Sequence, residues 1–232
     1  MATVYLAPDD FTGETAEVAG DLYHHLFRAR RLAVGDRLRV VDGLGTGRLA
    51  KVASVGRGVA ELELGAATSV ASRTGVELVV AASRPERARW LVEKATELGV
   101  EAIHWLTTDR SQHRLNDSVL KRHRRIAIGA MQQSGGAFLP RIDGPHPWPE
   151  LDRIVSGKRL LLVLDSSGER GLGALEASSP TVLIGPEGGW TTAELERLDA
   201  LGYHRWSLGE RTLRVETAAI TALAVLASVH RP

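Results

Sequence analysis

The amino-acid sequence predicts an α/β protein in two parts, a small β-barrel over residues 1–70 and a mostly parallel α/β domain over residues 71–232. Three observations carry that expectation. Short alternating strands punctuated by Asp42-Gly43 and Gly56–Gly58, both hairpin signals, crowd the first part. Apolar runs and helical patterns then alternate, which calls for a parallel sheet with helices on both faces. Finally, a glycine-rich stretch, Leu183–Trp190 (LIGPEGGW), falls between a strand end and a helix start, where ligands commonly bind in α/β proteins.

Taken in order, a short helix is expected at about Asp21–Ala29, then strands Leu38–Val41, Arg48–Val55 and Gly58–Leu64, with Ala66–Thr74 as the connection. The second part reads as strand Val76–Ala82, helix Glu86–Leu98, strand Ala102–Thr107, helix Val119–Gln133 and strand Leu160–Leu164, with Pro140–Pro149 as a proline-rich loop. Thr181–Ile184 is a buried strand that stops at Gly185-Pro186. Thr191 stands three residues before Glu194, a capping box that opens the helix Thr192–Leu201. A short strand, Arg205–Leu208, and a polar loop, Gly209–Arg214, lead into a helix at Val215–Val229. That helix sets Ala218, Ala219, Ala222, Ala224 and Ala227 among Ile220, Leu223, Val225 and Leu226. A helix apolar all round must be covered on all sides, so it either fills the domain centre or also meets a second subunit in a two-fold homodimer.

Composition narrows the chemistry. With 232 residues and 44% hydrophobic content the chain can bury a core, while a formal charge of +1 leaves nucleic-acid affinity to local patches. No apolar run reaches about 18 residues and the N-terminus has no signal-peptide pattern, so a cytoplasmic protein without a membrane span is expected. There is no cysteine, which excludes disulfides, thiolate metal sites and a cysteine nucleophile. The eight histidines show no ligand spacing, and no catalytic metal is expected.

Gly185, Gly188 and Gly189 permit positive φ and let a ligand approach the main chain, although an ordinary βα turn reads the same way. Two basic clusters stand out: Arg28, Arg30 and Arg31, and Lys121, Arg122, Arg124 and Arg125. Each suits phosphate, and each equally suits a helix C-terminus or a solvated helix face.

Seven segments carry a family resemblance: His24–Asp36 (HHLFRARRLAVGD), Asp42–Gly45 (DGLG), Arg84–Val100 (RPERARWLVEKATELGV), Asp109–Gln112 (DRSQ), Gln132–Gly136 (QQSGG), Ile184–Trp190 (IGPEGGW) and Leu208–Ala219 (LGERTLRVETAA). In this order they resemble the bacterial 16S ribosomal RNA (uracil-N3) methyltransferases of the SPOUT superfamily. Arg30, Gln132 and Gly136 depart from the family pattern, which usually has a leucine, an acidic residue and an arginine there.

The resemblance implies a PUA-like RNA-binding barrel followed by a knotted (trefoil) methyltransferase domain, with 16S rRNA of the small ribosomal subunit as partner. It implies S-adenosylmethionine held by three loops, through Leu164, then Ile184, Gly185, Glu187, Gly188 and Gly189, then Ser207, Leu208, Gly209, Thr212 and Leu213. Arg28, Arg31, Arg84, Arg87, Lys94, Arg110 and Gln133 would face RNA. Uracil N3 is a poor nucleophile until its proton leaves, so the site needs a base or a cation that stabilises the anionic ring. Arg214 suits the second task. Glu216 either accepts the proton or complements the helix dipole from the first turn. Two other readings stay open. One is ribose 2′-O methylation, for which relatives carry a serine-leucine-asparagine motif where this chain has Ser207-Leu208-Gly209; the other is a catalytically silent RNA-binding assembly protein.

Overall fold

Alternation of buried and exposed residues builds the N-terminal unit. Strands β1 (Thr3–Tyr5), β2 (Thr15–Ala19), β3 (Arg37–Val41), β4 (Thr46–Val55) and β5 (Val59–Ser69) form one sheet in the order β1-β3-β4-β5-β2. This is a computed structural model, and it describes residues 1–69, 74–111, 113, 115–158, 160–170 and 179–229. Every second residue of β2 and of the first half of β5 points inward, and Val18, Leu38, Val40, Val52 and Leu62 form a core with Leu26 and Phe27. Those two phenylalanine and leucine side chains come from one helical segment, α1 (Gly20–Tyr23) continuing as a π-helical turn over His24–Ala29. Tyr23 fixes it by donating its hydroxyl to the carbonyl of Gly56 at 2.7 Å.

The segment Met131–Leu139 belongs to this unit, which otherwise comprises Met1–Ser72. Its fit explains two of the sequence motifs. The Gln132 side chain accepts from the Tyr5 amide at 2.7 Å, and Arg39 donates to the Gly135 carbonyl at 2.9 Å. A Cβ on Gly45 (φ +106°) would collide with the Phe138 ring, and Asp42 caps the amides of Leu44 and Thr46 at 2.7 and 2.9 Å. The DGLG turn is thus shaped to receive 131–139, and Gln132 is occupied inside the unit.

The second unit, Arg73–Ala130 with Pro140–Pro232, is a six-stranded sheet. Its strands are β6 (Glu77–Ala81), β7 (Ala102–Thr107), β8 (Arg141–Pro147), β9 (Leu161–Glu169), β10 (Thr181–Ile184) and β11 (His204–Trp206), in the order β11-β9-β10-β6-β7-β8. All five pairings are parallel. Strands β6 and β10 are buried along their whole length, as expected of a sheet covered on both faces. Val79, Val163 and Leu183 face Leu151 and Val155 of α4 (Leu151–Val155) and Leu198 of α5 (Thr192–Ala200). Helix α6 (Val215–Val229) packs on β6, β10 and α2 (Pro85–Glu97). Helix α3 (Asp117–Ser134) places His123 against the Trp105 ring, with 5.3 Å between centroids. Among the described residues no helix is long and apolar enough to cross a membrane.

Several expectations need correction. Strands β1 and β2 were not foreseen. The proline-rich loop is β8, an edge strand, where Pro145 and Pro147 cost no ladder bond on the solvent side. Strand β5 runs on to Ser69, β9 runs on to Glu169, and β11 ends at Trp206 instead of Leu208. Helix α6 is not covered all round within the chain: Thr217, Ala224, Val225 and Ser228 form an exposed stripe. Residues 70–73 of the expected connection, Gln112 and His230 lie outside the described residues.

Candidate active site

The parallel strands β9, β10 and β11 all point their C-terminal ends the same way, so the outer half of β9, the loop after β10 (the second loop) and the loop after β11 (the third loop) come together. β10 lies between β9 and β6, the point where the winding of the sheet reverses and where open α/β sheets bind ligands. A cavity of about 560 Å³ opens there, within the usual range for small-molecule sites. Leu164, Asp165 and Ser166 line it from within β9, where a loop was expected, Ile184 from the end of β10, Gly185, Glu187, Gly189 and Trp190 from the second loop, and Ser207, Leu208, Gly209, Arg211, Thr212, Leu213 and Arg214 from the third.

Each loop has a physical reason for its shape. A Cβ on Gly185 would come within 2.7 Å of the Trp190 indole, so only glycine lets that ring form a wall. The indole Nε1 donates to the Leu164 carbonyl at 3.4 Å, which ties the second loop to β9, and the ring also meets Trp148. Gly189, at φ +67°, closes the turn by donating to the Pro186 carbonyl at 2.9 Å. The expected capping box is present, with Thr191 and Glu194 each accepting from the other's amide, and it starts α5 immediately after the turn. In the third loop the Ser207 hydroxyl donates to the Gly209 carbonyl at 3.1 Å, with Gly209 at φ +134°.

Arg110 holds the glycine turn from outside, donating to the carbonyls of Gly188 and Trp190 at 2.8 and 3.3 Å. The neighbouring Asp109 amide donates to the Glu194 carboxylate at 3.2 Å. The DRSQ motif therefore braces the second loop. Gly188 does not line the cavity: a Cβ there would meet the Arg110 side chain at 3.3 Å, so its small size serves Arg110.

Arg87 lines the cavity from α2, as Arg211 and Arg214 do from the third loop. It pairs with Glu187 and lies 3.7 Å from Glu216 on α6. Glu216 is buried, does not line the cavity, and leaves its Oε2 without a hydrogen-bond partner among the described residues. Arg214 is exposed, lines the cavity and makes no ion pair among the described residues. Its charge is available to whatever enters.

The residues expected to face RNA divide into two groups. Arg28, Arg31, Arg84 and Gln133 are exposed. Lys94 is half-buried and engaged by Glu93 and Glu97 of its own helix at 2.9 and 2.8 Å, and those hydrogen bonds raise its pKa. Arg87 and Arg110 are held as described above. Trp190 carries no expectation from the sequence, although a tryptophan directly after Gly188-Gly189 is a signal, and Arg87, which the family resemblance implies on the RNA side, lines the cavity.

Comparison with known proteins bears on this arrangement. The RNA methyltransferase domain family matches residues 71–227, and the RNA methyltransferase PUA domain family matches residues 18–64. A Mycobacterium bovis protein called ribosomal RNA small subunit methyltransferase E is 32% identical over 229 residues, covering 93% of this chain and 87% of its own. A Synechocystis protein of the same name is 30% identical, covering 94% of this chain and 75% of its own. Among solved structures, ribosomal RNA small subunit methyltransferase E from Neisseria gonorrhoeae, bound to S-adenosyl methionine, superposes with a TM-score of 0.90 at 25% identity over 99% of this chain and 98% of its own. A methyltransferase from Legionella pneumophila in complex with bound cofactor SAM gives a TM-score of 0.87 at 27% identity, over 98% of this chain and 97% of its own.

Proposed function

The chain belongs to the RNA methyltransferase family, and from that premise we propose that it transfers a methyl group from S-adenosylmethionine to N3 of one uridine in 16S rRNA of the small ribosomal subunit. The observation that carries the proposal is the cavity formed by β9, β10 and β11, with Arg214, unpaired among the described residues, in its wall.

The residues present fit that cofactor. The adenosine needs apolar walls and main-chain groups, and Leu164, Ile184, Leu208, Leu213 and Trp190 with the Gly185–Gly189 turn supply them. Asp165 offers negative charge toward a cationic ligand, while Glu187 is engaged by Arg87. Bound S-adenosylmethionine supplies a methyl group on a positively charged sulfonium, transferred by in-line displacement. The chain's contribution is position and charge. Arg214 stabilises the anionic uracil ring through its fixed positive charge. Glu216 acts through Arg87, which it holds together with Glu187; it is a positioning residue in this reading, and the N3 proton leaves to another acceptor.

The same reading assigns Arg28 and Arg31 of the N-terminal unit, with Arg84 and Gln133, to rRNA contact, supported by their exposure. It gives RNA contact to both units and catalysis to the second, Arg73–Ala130 with Pro140–Pro232. The trefoil knot enters this reading from the family resemblance alone. A homodimer is supported by the exposed stripe on α6, where Ala224 and Val225 lie among the small residues Thr217 and Ser228, and a cytoplasmic location follows from an rRNA substrate.

The test is transfer of labelled methyl groups from S-adenosylmethionine to small subunits that lack the modification. Wild-type protein should label 16S rRNA and Arg214→Ala should not. Equal labelling by the two would remove Arg214 from the mechanism, and no labelling by either would overturn the proposed activity.

A further inference from the structure

Away from the cavity, the described residues bring together one group of metal-ligating side chains, His104, Asp143 and His146. None of the three lines the cavity described above. Their sequence positions conceal the grouping. His104 is on β7 and pairs across the ladder with Asp143 on β8, so these two side chains share a face. His146 is three residues beyond Asp143, and in a regular strand it would point to the opposite face.

A register shift between His104 and Leu106 corrects this. It pairs Leu106 with His146 and turns the His146 ring back toward Asp143. The shift depends on Gly144, where a Cβ would lie 2.5 Å from the Trp105 carbonyl. The result is a convergent set: Asp143 Oδ1 lies 2.7 Å from His104 Nδ1 and 2.8 Å from His146 Nε2.

The second shell is what distinguishes the cluster from an ordinary surface network. The other ring nitrogen of each histidine faces a carboxylate. His104 Nε2 lies 3.2 Å from Glu77, and His146 Nδ1 lies 3.6 Å from Glu150. A metal-bound histidine usually donates its remote N–H to a carboxylate, which fixes the tautomer and orients the ring. Glu77 is itself buried and anchored by Lys158 and Arg141 at 2.6 and 3.3 Å, so it is a fixed acceptor.

We propose that His104, Asp143 and His146 form a binding site for a zinc-class divalent transition-metal ion, with Glu77 and Glu150 as the carboxylates that orient its two histidines. Two imidazoles and one carboxylate suit such an ion, and Asp143, about half exposed, leaves a fourth position to water. Bonds of about 2.0–2.1 Å set ligand atoms roughly 3.3 Å apart in a tetrahedron, so the present contacts need to open by about half an ångström. The site clasps β7 to the edge strand β8 and to the turn at Trp148–Glu150, which makes it structural.

The experiment uses the full-length chain stripped with chelator and titrated with Zn²⁺ by calorimetry, with Co²⁺ absorption as a report on ligand type. Wild type should take up one equivalent, and at free zinc about a hundredfold above Kd its unfolding temperature should rise by roughly 5–10 °C. His146→Gln and Asp143→Asn should each weaken uptake by about a hundredfold or more and lose the thermal shift, while keeping wild-type affinity for S-adenosylmethionine. Two variants are used so that one failing to fold still leaves the test. A wild-type protein that takes up no zinc, or folded variants that take it up as wild type does, would overturn the assignment.

Discussion

Gly185→Ala is the most informative single substitution in the cavity, because one methyl group separates the cofactor reading from an ordinary turn. The backbone at Gly185 does not occupy the left-handed region, so alanine is conformationally acceptable and the effect is steric. The new Cβ would lie 2.7, 2.9 and 3.0 Å from Cε2, Cζ2 and Nε1 of Trp190. The indole cannot simply withdraw, because Nε1 donates to the Leu164 carbonyl and the ring meets Trp148 at 5.8 Å. Overpacking of this kind costs about 1–3 kcal/mol, and loss of the indole bond adds about 1 kcal/mol. The unfolding temperature should fall by at least about 4 °C, at 2–4 °C per kcal/mol for a domain of this size. A displaced wall and a loosened tie between the second loop and β9 should also weaken S-adenosylmethionine by about tenfold or more, equivalent to about 1.4 kcal/mol. Calorimetric titration and thermal unfolding measure both quantities. Gly188→Ala is the internal control, since its Cβ meets only the flexible Arg110 side chain and should leave binding nearly unchanged. Wild-type affinity in Gly185→Ala, or equal damage from both substitutions, would refute the account of the second loop.

Other outcomes follow from the same geometry. Arg214→Ala should bind S-adenosylmethionine as wild type does and lose about a hundredfold or more in turnover, read by methyl transfer under saturating cofactor. Arg87→Ala removes the cation between Glu187 and the buried Glu216, and should destabilise the protein by about 1–3 kcal/mol in denaturant unfolding. Val225→Asp places a charge in the exposed stripe of α6 and should shift the protein from dimer to monomer in sedimentation analysis; a wild type already monomeric would remove the dimer. Burial, helped by the charge of Arg122, lowers His123 from 6.5 to about 4. The unfolded chain therefore takes up that proton first, so stability holds above about pH 6.5 and falls toward pH 4, on the order of 1.4 kcal/mol per unit at most. His123→Gln should flatten that part of the unfolding profile.

Much of the site was legible because its elements are local. The Thr191–Glu194 capping box, the strand ending at Ile184 and the helix Val215–Val229 are written in contiguous residues, and the structure has all three. What stayed hidden depends on distant partners. Gly188 reads like Gly185 in sequence, and only the position of Arg110, seventy-eight residues away, separates their tasks. Strand β8 looked like a loop because prolines penalise a central strand, and its place at the sheet edge cannot be read locally. The cluster of His104, Asp143 and His146 required the register shift at Gly144, which no spacing rule anticipates. Gln132 reads only as a departure from the family pattern, yet its side chain accepts from Tyr5 inside the N-terminal unit.

The central claim is the identity of the methylated atom, and nucleoside analysis of the product tests it most directly. 16S rRNA recovered from unmodified small subunits after incubation with the protein and labelled S-adenosylmethionine would be digested to nucleosides and separated by mass spectrometry. The account predicts that the label is confined to 3-methyluridine at a single position. Label in a 2′-O-methylated nucleoside, or in 5-methyluridine, would contradict it.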